Sequence, residues 1–324
     1  MRPLALSTPA PRLPRRRLPS KAERMLARSA PLLLAPWLMG APLGAATLYE
    51  VTSAYHHIRV VDAAGIRTLY FDDAPQTQMA VANPLQGHFE YTELFHAAWL
   101  WNPRITNVLM IGLGGGSAQR SFEHYYPHVR IQTAEIDPTV VSFARRFFEF
   151  RESDRQRVTV ADGRMHLRRS QAVYDLVVLD AYVRSRYGSS IPQHLATREF
   201  FELVRDRLTT NGVLACNLIG TTAGFQANLV GAVYRTLQSV FPQVYLFRAR
   251  TSQNLVLIAT RSPARTDMAE LRRRATVLVQ SRQVTLPSFR QHLESVVLAA
   301  PASVARSPVL TDDYAPVEGL ASQP

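Results

Sequence analysis

Residues 108–117 read VLMIGLGGGS, an apolar run that leads into a glycine-rich turn. The apolar residues indicate a buried strand, and the glycines after it let the backbone turn tightly and bring bare amide groups close to a ligand. Gly112, Gly114 and Gly116 are the glycines that we expect at this ligand. The spacing does not match the fingerprint of dinucleotide-binding enzymes, and some turns of this kind bind nothing. On its own, this segment predicts a strand, a turn and a helix, and it does not identify the ligand.

Apolar strands alternate with amphipathic helices on both sides of this turn. Such alternation specifies a parallel sheet that is covered by helices on both faces. The last two predicted strands are joined at 250–253 by a turn too short for a crossover helix, so they must pair antiparallel. The predicted fold is a doubly wound, Rossmann-like α/β sheet that resembles the class I S-adenosylmethionine-dependent methyltransferases. The predicted strands are 107–111, 130–135, 157–160, 175–180, 212–218, 244–248 and 254–259, and the predicted helices are 116–125, 138–150, 163–170, 197–208 and 223–240.

Shorter strands precede this central region. The segments 48–51, 57–61 and 67–71 are rich in β-branched and aromatic residues, and they predict a small antiparallel sheet. Apolar residues at helical spacing between Phe89 and Leu100 predict a helix that leads into the central unit. The predicted divisions are a targeting segment (1–46), an N-terminal β-sheet domain (47–83), a Rossmann-like catalytic domain (84–262) and C-terminal helices with a tail (263–324).

The N-terminal segment has the pattern of a secretory signal. A basic region is followed by an apolar stretch at 29–46 that is too short and too rich in proline to span a bilayer as a helix. The stretch ends in small residues, which predicts cleavage after Ala46 and a secreted or periplasmic protein. Translation could instead start at Met25, or the arginines at 15–17 could form a twin-arginine signal. A leader on a cytoplasmic protein also remains open.

The positive charge of the chain lies mostly in this leader. The formal net charge is +12, but residues 1–28 contain eight basic residues against one acidic residue, which leaves +5 for the rest of the chain. A charge of +5 spread over nearly 300 residues is ordinary for a globular protein. We therefore expect no nucleic-acid partner.

Several kinds of catalytic centre are excluded by residue usage. Cys216 is the only cysteine, which excludes an internal disulfide and a CxxC site, and its apolar strand predicts a core residue. Lys21 is the only lysine and lies in the leader, so the rest of the chain has no Schiff-base or Walker-type lysine. Pro127 interrupts the helix between His124 and His128, and we predict no metal site.

Acidic residues and glycines follow the predicted strands where those strands end. Glu135 lies 21 residues beyond Gly114, at a position where a carboxylate can accept hydrogen bonds from both ribose hydroxyls. Asp137, two residues later, precedes Pro138 and is expected to cap the next helix.

Two further strand ends carry a carboxylate. Asp162 and Gly163 follow the third strand, where the carboxylate can meet an adenine amino group and the glycine lets the ring lie flat. Asp180 ends the fourth strand, in the crevice where open α/β sheets bind ligands. We expect solvent to reach Asp180, so its substitution should barely change stability.

At these residues the chain resembles the polyamine aminopropyltransferases, the spermidine synthase family, over about residues 47–260. Asp72 and Gln76, followed by the segment FEYTE at 89–93, are similar to the N-terminal signature of that family. The resemblance implies that Gln76 and Tyr91 line the donor and amine pockets.

The same resemblance implies ribose, adenine and catalytic roles for Glu135, Asp162 and Asp180, respectively. The segment LTDDYAP at 310–316 resembles the tail of bacterial spermidine synthase-like proteins.

Two positions depart from the family pattern: Gly115 stands where the family has a loop aspartate, and Val183 stands where it has a second acceptor-site aspartate. The donor and the acceptor amine are therefore left open, because a buried ammonium group needs a partner carboxylate.

Three functions follow as alternatives. The first is transfer of an aminopropyl group from decarboxylated S-adenosylmethionine to a polyamine such as putrescine. Asp180 would accept the amine proton, and Tyr91 and Tyr182 would orient the amine. The second is transfer of a methyl or aminocarboxypropyl group from S-adenosylmethionine, and the third is a secreted protein that keeps the fold without turnover. In each enzymatic case the sulfonium nucleoside is a co-substrate and no cofactor is implied. The expected partner is a small-molecule amine, and a homodimer is left open.

Overall fold

The structure of the protein is a computed structural model that describes residues 44–185 and 188–322. Almost all of the predicted signal segment lies outside the described residues. Its predicted cleavage site, Ala46, is the first residue of the first strand. No helix of the described part is long and apolar enough to cross a membrane.

The N-terminal region forms a four-stranded antiparallel sheet in the order β1-β2-β3-β4, which confirms the predicted small sheet. The fourth strand was absent from the prediction, because its sequence APQTQMA contains a proline and little β-branched character. Proline is tolerated there because β4 is an edge strand. The strands are β1 (Ala46–Thr52), β2 (His57–Ala63), β3 (Ile66–Phe71) and β4 (Ala74–Ala80).

The rest of the described chain surrounds a central sheet of eight strands. Its elements in chain order are α1 (Tyr91–Leu94), a 3₁₀ helix (Phe95–Leu100), β5 (Asn107–Ile111), α2 (Ser117–Tyr125), β6 (Arg130–Glu135), α3 (Pro138–Phe147), β7 (Gln156–Val160), α4 (Gly163–Arg169), β8 (Tyr174–Leu179), β9 (Val183–Ser185), β10 (Gly188–Ser190), a 3₁₀ helix (Gln193–Leu195), α5 (Arg198–Arg207), β11 (Leu208–Ile219), α6 (Ala227–Gln238), β12 (Gln243–Arg248), β13 (Asn254–Thr260), α7 (Met268–Gln280), α8 (Phe289–Leu293), β14 (Val296–Val297), a 3₁₀ helix (Ala302–Ala305) and α9 (Val317–Ala321).

The predicted architecture is confirmed by the pairing of these strands. The order across the sheet is β14-β12-β13-β11-β8-β5-β6-β7. Strands β7, β6, β5, β8 and β11 pair in parallel, whereas β13 pairs antiparallel with both β11 and β12. The carboxyl ends of the parallel strands therefore lie on the same side of the sheet, where the predicted site residues follow them.

Some element boundaries differ from the prediction. The helix predicted at 223–240 begins only at Ala227, and the helix predicted at 138–150 ends at Phe147. The helix predicted before the central sheet is one α-turn followed by a 3₁₀ helix. The short hairpin of β9 and β10 follows Asp180 and was not predicted, because strands of three residues leave no periodic signal.

The apolar residues of the central strands pack to both sides of the sheet. In β5, Leu109 and Ile111 belong to the core that includes α5 and α6, while Val108 and Met110 belong to the core that includes α2 and α7. A strand buried on both faces needs apolar side chains at every position, which is why its sequence is a continuous apolar run.

The N-terminal sheet packs against α3 through a third apolar cluster. Ile58, Val60 and Leu69 are fully buried in this cluster with Phe143 of α3. This packing brings β4 to the glycine-rich turn, where the Thr77 hydroxyl accepts a hydrogen bond of 2.8 Å from the Gly115 amide. The N-terminal sheet thus forms one wall of the crevice at the carboxyl ends of the strands.

Candidate active site

A cavity of about 290 Å³ lies at the carboxyl ends of β5, β6, β7 and β8 and is closed on one side by the N-terminal sheet. Nine of the ten predicted site residues line it. They are Gln76, Tyr91, Gly112, Gly114, Glu135, Asp162, Gly163, Asp180 and Tyr182. The prediction that the strand ends converge on one site agrees with this placement.

Gly116 is the predicted site residue that the structure does not bring to the cavity lining. It precedes α2 with φ of 75°, and a Cβ atom there would lie 2.8 Å from the Phe150 ring. This glycine is required by the turn and by the packing of the Phe150 ring, and it lies outside the cavity lining.

The first glycine of the turn allows a close approach between two strands. Gly112 has φ of 103°, and a Cβ atom at this position would lie 2.1 Å from the carbonyl oxygen of Asp180. No other residue fits there without moving the end of β8. The turn and the residue after β8 are therefore held together.

Gly115 is packed from behind by two neighbouring side chains. A Cβ atom at Gly115 would lie 2.6 Å from the Thr77 methyl carbon and 2.9 Å from the Phe148 ring. A carboxylate at this position would need both neighbours to move. The absence of an aspartate here is thus accommodated by the surrounding packing.

Glu135 is buried at the end of β6 and is held by the backbone. Its Oε2 accepts a hydrogen bond of 2.8 Å from the Leu113 amide, and its Oε1 accepts one of 3.0 Å from the Asp137 amide. Burial raises the pKa of this carboxyl above its ordinary value, although the backbone hydrogen bonds oppose the rise. Each oxygen can accept a further hydrogen bond, so the carboxylate can still bind hydroxyl groups.

Asp137 caps α3 as predicted. Its Oδ1 accepts a hydrogen bond of 2.8 Å from the Thr139 amide, and Pro138 occupies the first helical position.

Asp162 is engaged at both oxygens. Its Oδ1 caps α4 by accepting a hydrogen bond from the Met165 amide at 2.9 Å, and its Oδ2 lies 2.7 Å from Nε2 of His194. Gly163 is required by packing, since a Cβ atom there would lie 2.3 Å from a methyl carbon of Ile111. His194 carries no sequence signal for this contact, because it lies 32 positions after Asp162 and outside any element with a periodic pattern.

Asp180 is partly buried and is held by two donors. Asn217 donates to Oδ1 at 2.8 Å, and the Tyr91 hydroxyl donates to Oδ2 at 3.2 Å. Burial raises the pKa of this carboxyl to about 6, and the two hydrogen bonds oppose a larger rise. Such a carboxylate is ionised at pH 7–8 and is basic enough to accept a proton in a reaction.

Asn217 is a second functional residue that the sequence pattern does not predict. It is 2% exposed in β11, and its Oδ1 accepts a hydrogen bond of 3.1 Å from Asn254, whose own Oδ1 accepts one from Ser252. A single asparagine in the apolar strand VLACNLI was the available signal. Its neighbour Cys216 is fully buried, as predicted for a core residue.

Tyr182 carries a buried hydroxyl for which the described residues supply no hydrogen-bond partner. Burial raises the pKa of this phenol well above its ordinary value, so the group stays neutral and can both donate and accept. On the wall formed by the N-terminal sheet, the Gln76 amide donates to the Ala74 carbonyl at 3.3 Å. The cavity thus has carboxylates at one end, from Glu135 and Asp162, and a polar, aromatic end near Asp180.

No group of three or more histidine, cysteine, aspartate or glutamate side chains within 44–185 and 188–322 is placed to hold a metal ion. The polar side chains that line the cavity carry carboxylates, hydroxyls, amides, two imidazoles (His56 and His194) and one guanidinium (Arg184). This set suits ligand positioning and proton acceptance.

Comparison with known proteins shows which family this chain resembles. Residues 88–260 match the spermine/spermidine synthase domain. The polyamine aminopropyltransferase of Vibrio vulnificus is 30% identical over 297 residues, which cover 89% of this chain and 95% of that protein.

Two solved structures share the fold. A spermidine synthase in complex with the transition-state analogue AdoDATO superimposes with a TM-score of 0.61 at 20% identity, covering 80% of this chain and 86% of that one. Human methyltransferase-like protein 13 in complex with SAH superimposes with a TM-score of 0.54 at 26% identity, covering 61% of this chain and 94% of that one.

Proposed function

The chain belongs to the spermine/spermidine synthase family and is a transferase, and from this premise we propose that it moves an aminopropyl group from decarboxylated S-adenosylmethionine to a polyamine such as putrescine. The observation that carries the proposal is the setting of Asp180. A carboxylate with a raised pKa lies in the same cavity as two carboxylates suited to a nucleoside.

The nucleoside part of the donor would bind at the ends of β6 and β7. Glu135 would accept hydrogen bonds from the ribose hydroxyls, since its oxygens keep free acceptor positions. Asp162 would accept a hydrogen bond from the adenine amino group. Gly112 and Gly114 allow the backbone to come close to the donor, and Gln76 lines the opposite wall.

The transfer itself is a displacement at carbon. The lone pair of a neutral amine forms a carbon–nitrogen bond while the carbon–sulfur bond breaks, and its electron pair returns to the sulfonium sulfur. The thioether that leaves is neutral and needs no acid. The nitrogen that has reacted carries one proton too many, and the Asp180 carboxylate would accept it.

Two tyrosines would orient the amine. Tyr91 donates to Asp180, which fixes the carboxylate at the reacting end, and the free hydroxyl of Tyr182 can accept from an ammonium or donate to a neutral amine. Positioning of donor and acceptor in line is the main contribution that a protein makes to such a displacement.

An intact S-adenosylmethionine donor is the second candidate, and the packing at Gly115 favours it. With Thr77 and Phe148 behind this glycine, the turn presents no carboxylate to a donor ammonium. The carboxylate of an intact donor would then meet no like charge. The product would be a methylated or aminocarboxypropylated amine.

One experiment separates the two donors. The purified chain is incubated with putrescine and either decarboxylated S-adenosylmethionine or S-adenosylmethionine, and products are identified by mass spectrometry. The proposal expects 5′-methylthioadenosine and spermidine from the decarboxylated donor alone. Product from the intact donor alone would replace the first candidate by the second, and no turnover with either donor would contradict both.

A further inference from the structure

The carboxylate at the nucleoside end is held by a histidine. His194 lies on the 3₁₀ helix at 193–195 and lines the cavity, and its Nε2 lies 2.7 Å from Oδ2 of Asp162. An ionised carboxylate can only accept, so Nε2 carries the proton in this contact. Because the Met165 amide holds the other oxygen, the carboxylate has a fixed orientation.

Arg164 connects this histidine to the C-terminal tail. It lies in the first turn of α4, two residues after Asp162, and its side chain is only 18% exposed. Its Nη1 donates to the carbonyl oxygen of His194 at 3.1 Å and to Oδ1 of Asp312 at 2.7 Å, and its Nη2 donates to Oδ2 of Asp312 at 2.6 Å. One guanidinium therefore joins the helix start, the histidine and the tail.

The tail itself is anchored in the fold. Leu310 is fully buried, its amide donates to the Thr236 hydroxyl at 2.9 Å, and its carbonyl accepts from the Arg198 amide at 2.8 Å. Asp312 accepts a further hydrogen bond of 2.7 Å from the Thr197 hydroxyl. The hydrogen bonds from Arg164 lower the pKa of Asp312, so this carboxylate is ionised at neutral pH and keeps its hold on the guanidinium.

We propose that His194 is a positioning residue that fixes the Asp162 carboxylate so that it selects a purine with an amino group at position 6, and that Asp312 holds His194 in place through Arg164. The inference rests on the proposed function, in that it takes the donor to be a nucleoside. It assigns a role to the tail segment at 310–316, which contributes no residue to the cavity lining.

The selection follows from the donors and acceptors of the site. The Asp162 carboxylate accepts hydrogen bonds, so an amino group of the ligand can donate to it while His194 and the Met165 amide hold its orientation. A purine with an oxo group at position 6 would instead bring a carbonyl oxygen against the carboxylate. Without Asp312, the arginine would lose two hydrogen bonds and the 3₁₀ helix carrying His194 would lose its fixed position.

If the contacts between Arg164, Asp312 and His194 only stabilised the fold, their loss would have a different effect. Loss of purely stabilising contacts would lower the melting temperature and weaken the binding of all nucleosides to the same extent. A positioning role predicts a change in the ratio between amino and oxo purines. That ratio is therefore the informative measurement.

The test uses Asp312→Asn, with Asp313→Asn as the matched control. Asp313 is the neighbouring residue, is exposed, and makes none of the contacts described for Asp312. Affinities for 5′-methylthioadenosine and 5′-methylthioinosine are measured by calorimetry, together with melting temperatures. We expect the unmodified chain and Asp313→Asn to prefer 5′-methylthioadenosine equally. Asp312→Asn should weaken 5′-methylthioadenosine by about three- to ten-fold, the worth of one hydrogen bond, and 5′-methylthioinosine by less.

A second variant, His194→Ala, keeps Asp312 in place. It should lower the preference for 5′-methylthioadenosine over 5′-methylthioinosine. An unchanged ratio in both variants, or an equal loss for the two nucleosides, would overturn the inference and leave the proposed function standing. If the unmodified chain binds neither nucleoside, the nucleoside donor of the proposed function fails first.

Discussion

Replacement of Asn217 by leucine should move the acidic limb of the pH profile upward. Asn217 donates to Oδ1 of Asp180 at 2.8 Å, and this hydrogen bond favours the ionised carboxylate. Asp180 has a pKa of about 6, so a reaction that uses it as a base should lose rate as the pH falls through 6. Asn217→Leu keeps the number and branching of the side-chain heavy atoms and removes the donor, which raises the pKa of Asp180 further.

The expected size of the change follows from the kind of hydrogen bond. A hydrogen bond to a charged group contributes about 1.5–3 kcal/mol, and each 1.36 kcal/mol corresponds to about one pH unit. The acidic limb of kcat/KM should therefore move from about pH 6 to roughly pH 7–8. The profile is measured between pH 5 and 9 at fixed ionic strength. The matched control is Ser252→Ala, which removes the donor to Asn254 and leaves the contact between Asn217 and Asp180 in place.

The control should keep its limb near pH 6. A limb that stays near 6 in Asn217→Leu would refute the reasoning, because the group that titrates would then not be the carboxylate held by Asn217. A lower maximal rate without a moved limb would likewise assign Asn217 a role in packing alone.

Other expected outcomes concern the nucleoside site, the turn, stability and the leader. Glu135→Ala should abolish binding of 5′-methylthioadenosine in calorimetry, because both ribose hydroxyls lose their acceptor; binding within two-fold of the unmodified chain would exclude the ribose role. Gly112→Ala should unfold at a lower temperature and lose turnover, since its Cβ atom would lie 2.1 Å from the Asp180 carbonyl; an unchanged melting temperature would show that β8 can move. Asp180→Asn should be more stable than the unmodified chain at pH 8, by up to about 3 kcal/mol, and equally stable at pH 4, because a pKa raised from 3.8 to about 6 lowers stability as the pH rises through 6; denaturant unfolding at the two pH values checks this. Mass spectrometry of protein from the native host should find an N-terminus at Thr47, and an intact leader would favour a cytoplasmic protein.

The central sheet could be predicted because its pattern is unambiguous. Buried parallel strands such as β5 and β8 need continuous apolar runs, and the short turn at 250–253 permits only an antiparallel pair. The edge strand β4 and the hairpin of β9 and β10 could not be predicted. Their residues are held by pairing partners and not by a local periodic pattern.

The site could be predicted in part for a related reason. Carboxylates at the ends of neighbouring parallel strands converge, so Glu135, Asp162 and Asp180 could be placed together from their positions at the predicted strand ends. Their partners could not be found in this way. Asn217 comes from a strand 37 residues after Asp180, and His194 comes from a 3₁₀ helix of three residues, 32 residues after Asp162.

The environment of Asp180 is the clearest difference between sequence and structure. Position alone predicts a carboxylate that solvent reaches and whose replacement barely changes stability. The structure instead partly buries it between Asn217 and Tyr91, and burial raises its pKa to about 6. The same burial that makes the group a better base makes its ionised form costly to the fold.

The rate of spermidine formation by Asp180→Asn, relative to the unmodified chain, tests the account most directly. Both proteins are saturated with decarboxylated S-adenosylmethionine and putrescine at pH 8, and donor affinity is measured on the same preparations. The account predicts a rate lower by about 10² to 10⁴-fold, the contribution of a positioned base, with donor affinity unchanged because Glu135 and Asp162 hold the nucleoside. A variant that folds, binds the donor and keeps the full rate would contradict it.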